Sequence, residues 1–167
     1  MVLAPMHRAR PRRSLDVRRG ELAPLALAFV CFFCLLSATY VLRPLRDALG
    51  IEAGVHTYHW LFTGTFVATL VLYPALGAIA SRTTRTRFAV LVYGGVALSL
   101  VGFRALLASD ISEVILARGF FVWVSVFNVL LVSVFWGVMA DVFTSEQGVR
   151  LFGPIAAGGT AGALVGP

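Results

Sequence analysis

Long uncharged stretches separated by short charged ones divide this chain. Leu22 to Leu42 carries no charge, and eleven of its 21 residues are Leu, Val or Phe. At about 1.5 Å per residue it makes a helix as long as the ~30 Å hydrocarbon core of a bilayer is thick. Tyr58 to Ala80, Phe88 to Phe103 (continuing past Arg104 as ALLAS) and Gly119 to Ala140 behave alike. A fifth stretch, Leu151 to Pro167, is apolar to the last residue. Backbone polar groups in lipid must pair within their own segment, so the pattern predicts helices. The alternation of a membrane barrel, over strands of about ten residues, is absent. The expected fold class is therefore all-α, a polytopic transmembrane bundle. Its helices are expected near 22–42, 58–80, 88–108, 117–141 and 151–167, behind a basic tail over 1–21.

Composition agrees: of 167 residues, 59% are hydrophobic and 13% charged. A soluble domain is about 45–50% apolar and about 25% charged, so neither an ordinary cytosolic enzyme nor a disordered chain fits. The net charge of +6 comes from arginine alone, 14 of them with no lysine. These arginines lie between the apolar stretches rather than across one folded face, which speaks against nucleic acid as a partner.

Their placement predicts an orientation. Arg8, Arg10, Arg12, Arg13, Arg18 and Arg19 face one acid, Asp16, in the tail, and Arg82, Arg85 and Arg87 follow the second stretch. The ASDISE connection after the third has no positive residue. The positive-inside rule then puts the amino terminus and the 81–87 and 143–150 connections in the cytoplasm, for a bacterial inner membrane. A signal peptide is the competing reading of the first stretch, which is long for one and is followed by four more.

Soluble chemistry is poorly represented. Cys31 and Cys34 form a C-x-x-C in mid-stretch, with no second ligand pair and no base nearby, and read as packing residues. His7, His56 and His59 lack partners at metal-ligand spacing. No hydrolase triad or phosphate loop occurs. The expectation is a non-enzyme with no cofactor and no metal.

The informative charges follow the first stretch. Arg43, Arg46, Asp47 and Gly50 stand at i, i+3, i+4 and i+7, one face of a continuing helix. Asp47 is expected to pair with Arg43, leaving one positive charge at Arg46. Guanidinium groups suit phosphate oxygens, and charges at membrane depth usually face a cavity, so these residues are candidate substrate ligands. Snorkelling to outer headgroups is the plainer alternative. Pro44 is expected to bend the helix end. Asn128 lies mid-helix and is expected to hydrogen-bond inside the bundle or contact solute. Asp141 ends the fourth stretch, with Arg150 or the 82–87 arginines as partners, in a gating role. Arg104 and Arg118 bracket the ASDISE loop, where they snorkel or pair with Asp110 and Glu113. Trp123, Phe127, Phe135 and Trp136 read as lipid-facing or interfacial aromatics.

Glycine spacing adds a further signal. Gly153, Gly162, Gly166 and Pro167 obey G-x8-G-x3-G-P, and Gly158, Gly162 and Gly166 form a bare stripe for another helix. The spacing resembles the opening of the fifth-helix antiporter motif of the major facilitator superfamily. Gly77, Arg82 and Arg85 are similar to that superfamily's cytoplasmic motif, with Ser81 in place of its acid. TYVLRPLRDALG (Thr39 to Gly50) and the segment from Val134 to Pro167, with its FWGVMA, resemble the ATP/ADP translocase family. Pro44 departs from that pattern, as does the lack of a glutamate in the fourth helix.

The resemblance implies a secondary transporter of major-facilitator type, two six-helix halves rocking around a central site. On it, this chain is the first four to five helices, and a carboxy-terminal half is the missing partner. It implies antiport of a small anionic solute such as ATP or ADP. Arg46 takes the basic position after helix one and Asp47 the acid beside it. A carrier of another organic solute, or a non-transporting anchor in the bilayer, are the alternatives.

Overall fold

The computed structural model describes residues 17–52, 54, 56, 58–109 and 112–167. A 3-10 turn, Arg19–Glu21, leads into α1 (Leu22–Glu52). Then come α2 (Tyr58–Ala80), α3 (Arg85–Leu106), α4 (Glu113–Val142) and α5 (Ser145–Val165), with no strand among the described residues. All five helices are long and apolar enough to cross a bilayer, the architecture of an all-α multi-pass membrane protein. Large side chains such as Val71, Leu98 and Leu164 cover its outside. Arg8, Arg10, Arg12, Arg13, Asp16, His7 and Asp110 lie outside the described residues.

The helices overrun the apolar stretches that predict them, because charge limits what lipid tolerates and not what a helix can hydrogen-bond. α3 starts at Arg85 rather than Phe88, since the Thr84 side chain caps it by accepting from the Arg87 N–H. α5 starts at Ser145 rather than Leu151, because Thr144 and Gln147 form a reciprocal capping box. α4 opens on Glu113, an acid suited to the positive end of the helix dipole. The largest difference is in α1, which runs through Pro44 to Glu52 instead of stopping at Leu42. Pro44 removes one N–H from the ladder, yet packing of the following turns on α4 carries the helix onward.

α4 is the hub, with α1, α2 and α3 packed on it, and α5 rests chiefly on α1. α1 and α4 run antiparallel in a register marked at one end by Phe32 stacked on Phe135, ring centroids 4.5 Å apart, and at the other by Arg46 beside Ser125. α1 and α5 run parallel. A Cβ on Gly158 would stand 2.7 Å from the Phe29 carbonyl oxygen, and one on Gly166 would stand 2.6 Å from that of Ser37. At Gly162, between them, a Cβ would meet the Phe33 carbonyl oxygen more closely still. The expected bare stripe is thus the surface on which the two backbones meet, and Ser37 Oγ donates to the Gly162 carbonyl at 3.1 Å across it. Leu151 and Ile155, fully buried, fill the junction of α5 with α1 and α4. Tyr73 of α2 and Tyr93 of α3 donate to the carbonyls of Val126 and Leu131, fastening both helices to α4.

Candidate functional site

Gly50 begins the site. A Cβ there would lie 2.8 Å from Phe121 Cδ2 and 3.1 Å from Tyr58 Cε2, so its bareness lets the Phe121 ring rest on α1. Tyr58 and Phe62 of α2 hold the same ring edge-on, with centroids 5.5 and 5.7 Å away. One turn before Gly50, the Arg46 guanidinium carbon stands 5.0 Å from the Phe121 centroid, a cation–π arrangement. Arg46 Nη1 donates to Ser125 Oγ at 3.3 Å, and Ser125 donates in turn to the Phe121 carbonyl at 2.7 Å. Nε and Nη2 both donate to one oxygen of Asp47, Oδ1, at 2.9 and 2.6 Å.

The expected Asp47–Arg43 pair is therefore replaced by Asp47–Arg46. Seating of Arg46 on Phe121 and Ser125 turns its Nε edge back along α1, where the adjacent carboxylate reaches it. Arg43 is exposed instead, its guanidinium carbon 5.1 Å from the Tyr40 ring centroid. The net positive charge of the trio thus sits at Arg43.

Depth follows from register. Ser125 lies six residues beyond Gly119, where the uncharged run of α4 begins, and so about 9 Å along the helix axis. Arg46 meets α4 at that level and not beyond the end of the span. An Arg at a helix centre costs about 2.5–3.5 kcal/mol on insertion scales. A carboxylate at 2.6 Å and a side chain only 18% exposed reduce that cost. Asn128, on the same face of α4 one turn further along, is half-buried. Its side chain forms no hydrogen bond among the described residues, so the interior bond expected for it is not made among them.

The residues expected to gate lie at the other end of the bundle. Arg85 Nε meets Asp141 Oδ2 at 3.0 Å, both well exposed. Gly137 makes room for this arginine, since a Cβ there would be 3.1 Å from Nη1. Gly77, Arg85, Gly137 and Tyr73 line a recess of ≈ 500 Å³ between α2, α3 and α4. Arg82 is exposed and forms no ion pair among the described residues. Of the arginines expected as partners for Asp141, Arg85 is the one used. Gly153 is exposed, with nothing beyond its chain neighbours within 4 Å of an added Cβ, and Pro167 is exposed. Only Gly162 and Gly166 of the G-x8-G-x3-G-P spacing therefore serve close packing, with Gly158 as their companion.

Arg150 pairs instead with Glu21, more than a hundred residues away in sequence. Its Nη1 and Nη2 donate to the two carboxylate oxygens of Glu21 at 3.3 and 3.0 Å, and Gln147 Nε2 donates to Glu21 Oε1 at 3.1 Å. The Arg18 backbone N–H adds a fourth bond. Glu21 precedes the apolar run of α1. The Arg18 amide first, then Gln147 and Arg150, hold its carboxyl well below the usual range, at about 2. Gln147 thus caps α5 with one end of its amide and ties α1 with the other. An acid immediately before the first apolar run and an arginine immediately before the last were the available signal.

Two further expectations change. Phe135 is buried and Trp136 packs on Phe32 and Phe152, so the α4 aromatics belong to the helix junctions rather than to the lipid face. Trp123 packs on Phe103 and Phe127, and its Nε1 is buried with no acceptor among the described residues. Cys31 and Cys34 are exposed on α1 and are not core packing residues.

No protein-family model, no curated protein and no solved structure matches this chain.

Proposed function

We propose that this chain is part of a membrane secondary transporter that exchanges a small anionic solute, such as ATP or ADP, by alternating access. In this reading the seam between α1 and α4 forms one wall of the solute pathway. Arg46 binds the anion there, and Arg43 adds attraction. The observation that carries the reading is a guanidinium about 9 Å inside the apolar run of α4, on a fixed seat of Phe121 and Ser125. A charge kept at such depth is costly, and those that persist mark ion and substrate pathways. Arg85 and Asp141, at the other end of the span, act as an exposed latch between α3 and α4. No covalent chemistry is involved, since the wall offers binding and reorientation only.

The test is exchange across proteoliposomes holding the full chain, with labelled ATP trapped inside and ADP added outside. Efflux of label that depends on external ADP is expected, with at least a tenfold loss in Arg46→Ala. Transport and apparent affinity unchanged in Arg46→Ala would remove Arg46 from the pathway.

A further inference from the structure

Arg46 and Asp47 are held unequally. The guanidinium is fixed from two sides, by the Phe121 ring 5.0 Å away and by Ser125 Oγ at 3.3 Å, and its side chain is 18% exposed. Ser125 is itself anchored, donating to the Phe121 carbonyl. The Asp47 carboxylate has Arg46 as its only partner among the described residues, through Oδ1 alone, and its side chain is 44% exposed. If the pair parts, the carboxylate is the member that moves.

The edge it covers is also specific. Nε–H and one Nη2–H point the same way and form the two-pronged donor that takes a carboxylate or phosphate side-on. Asp47 occupies both prongs with one oxygen. A second guanidinium lies four residues back along α1, in reach of Asp47 at helical spacing. This is Arg43, which has a ring contact with Tyr40 and no carboxylate partner among the described residues.

We propose that Asp47 is a built-in stand-in for the anion. In the empty site it occupies the Nε/Nη2 edge of Arg46. An arriving phosphate displaces it, and it swings to Arg43. The inference rests on the reading of Arg46 as the substrate ligand. The exchange breaks one ion pair and makes two: Arg43, which has no carboxylate partner among the described residues in the empty site, gains Asp47 as Arg46 gains the phosphate. It also carries a selectivity. A singly charged carboxylate gains little over the one it replaces, whereas a phosphate with more than one negative charge competes well. Compounds bearing phosphate groups are therefore the favoured class.

Binding of radiolabelled ADP to the full chain in lipid nanodiscs, at one fixed ionic strength, tests this. Asp47→Asn removes the competitor's charge and should tighten ADP binding by about tenfold, the worth of one charge-assisted hydrogen bond. Asp47→Glu retains the charge and should stay within about threefold of wild type, while Arg46→Ala should weaken binding at least tenfold. Weakening by Arg46→Ala with unchanged or weaker binding in Asp47→Asn would overturn the stand-in role and leave the Arg46 site intact. Unchanged binding in Arg46→Ala would overturn the site itself, and absence of ADP binding in both wild type and Asp47→Asn would overturn both.

Discussion

Gly162→Ala in α5 and Gly94→Ala in α3 are the same chemical change in two helices, and they should move stability in opposite directions. In a helix interior Ala is favoured over Gly by about 0.5–1 kcal/mol. Gly94 is exposed with nothing within 4 Å of an added Cβ and no proline after it, so that gain is all the substitution brings. At Gly162 the added carbon meets the Phe33 backbone carbonyl, which cannot rotate aside as a side chain would. α1 and α5 must separate there, and overpacking of this kind costs about 1–3 kcal/mol. Separation also stretches the 3.1 Å bond from Ser37 to the Gly162 carbonyl, worth about 0.6 kcal/mol for an average bond between membrane helices. Set against the propensity gain, Gly162→Ala should lose about 1–3 kcal/mol while Gly94→Ala gains up to about 1. Reversible unfolding in mixed detergent micelles, titrated with a denaturing detergent, reads both. Equal shifts, or a stabilised Gly162→Ala, would mean that α1 and α5 do not meet backbone to backbone.

The two ion pairs at the charged end of the bundle should differ in worth. Arg85 and Asp141 are 63% and 50% exposed. Neutralising either should therefore change stability by less than about 1 kcal/mol in the same titration, and a larger loss would mean the pair is more than an exposed latch. Glu21→Gln should destabilise more than Asp141→Asn, because Glu21 accepts four bonds, three of which tie the start of α1 to α5. Because the folded carboxyl titrates at about 2, below its ordinary value, its contribution is complete above the usual carboxylate range and is lost as pH falls towards 2. Wild type should show this acid-dependent loss in the detergent titration and Glu21→Gln should lack it; identical acid profiles would count against the clasp.

Fold class was legible because lipid imposes a simple rule on sequence: a segment that crosses must be long, apolar and internally hydrogen-bonded. The helix ends were less legible. The capping box at Thr144 and Gln147 and the Thr84 cap start helices in polar sequence that hydropathy treats as connection. The glycine stripe of α5 was legible as a surface of close approach, since three glycines at i, i+4 and i+8 leave a helix bare on one side whatever the fold. Its partner was not legible. Nothing in the order of residues says that Phe33, rather than some other residue, lies over Gly162.

The candidate site divides along the same line. Sequence alone determined that Arg43, Arg46 and Asp47 share a face and that two arginines there require a reason, because helical spacing is a local property of the chain. Only the tertiary structure decided which arginine holds the acid, how deep the pair lies and that Glu21 reaches Arg150. Those depend on the register of α1 against α4 and α5, set by Gly50 admitting Phe121 and by Gly158, Gly162 and Gly166 admitting the α1 backbone. Register is a matter of which surfaces fit at contact distance, and a one-dimensional pattern of polarity holds no record of shape.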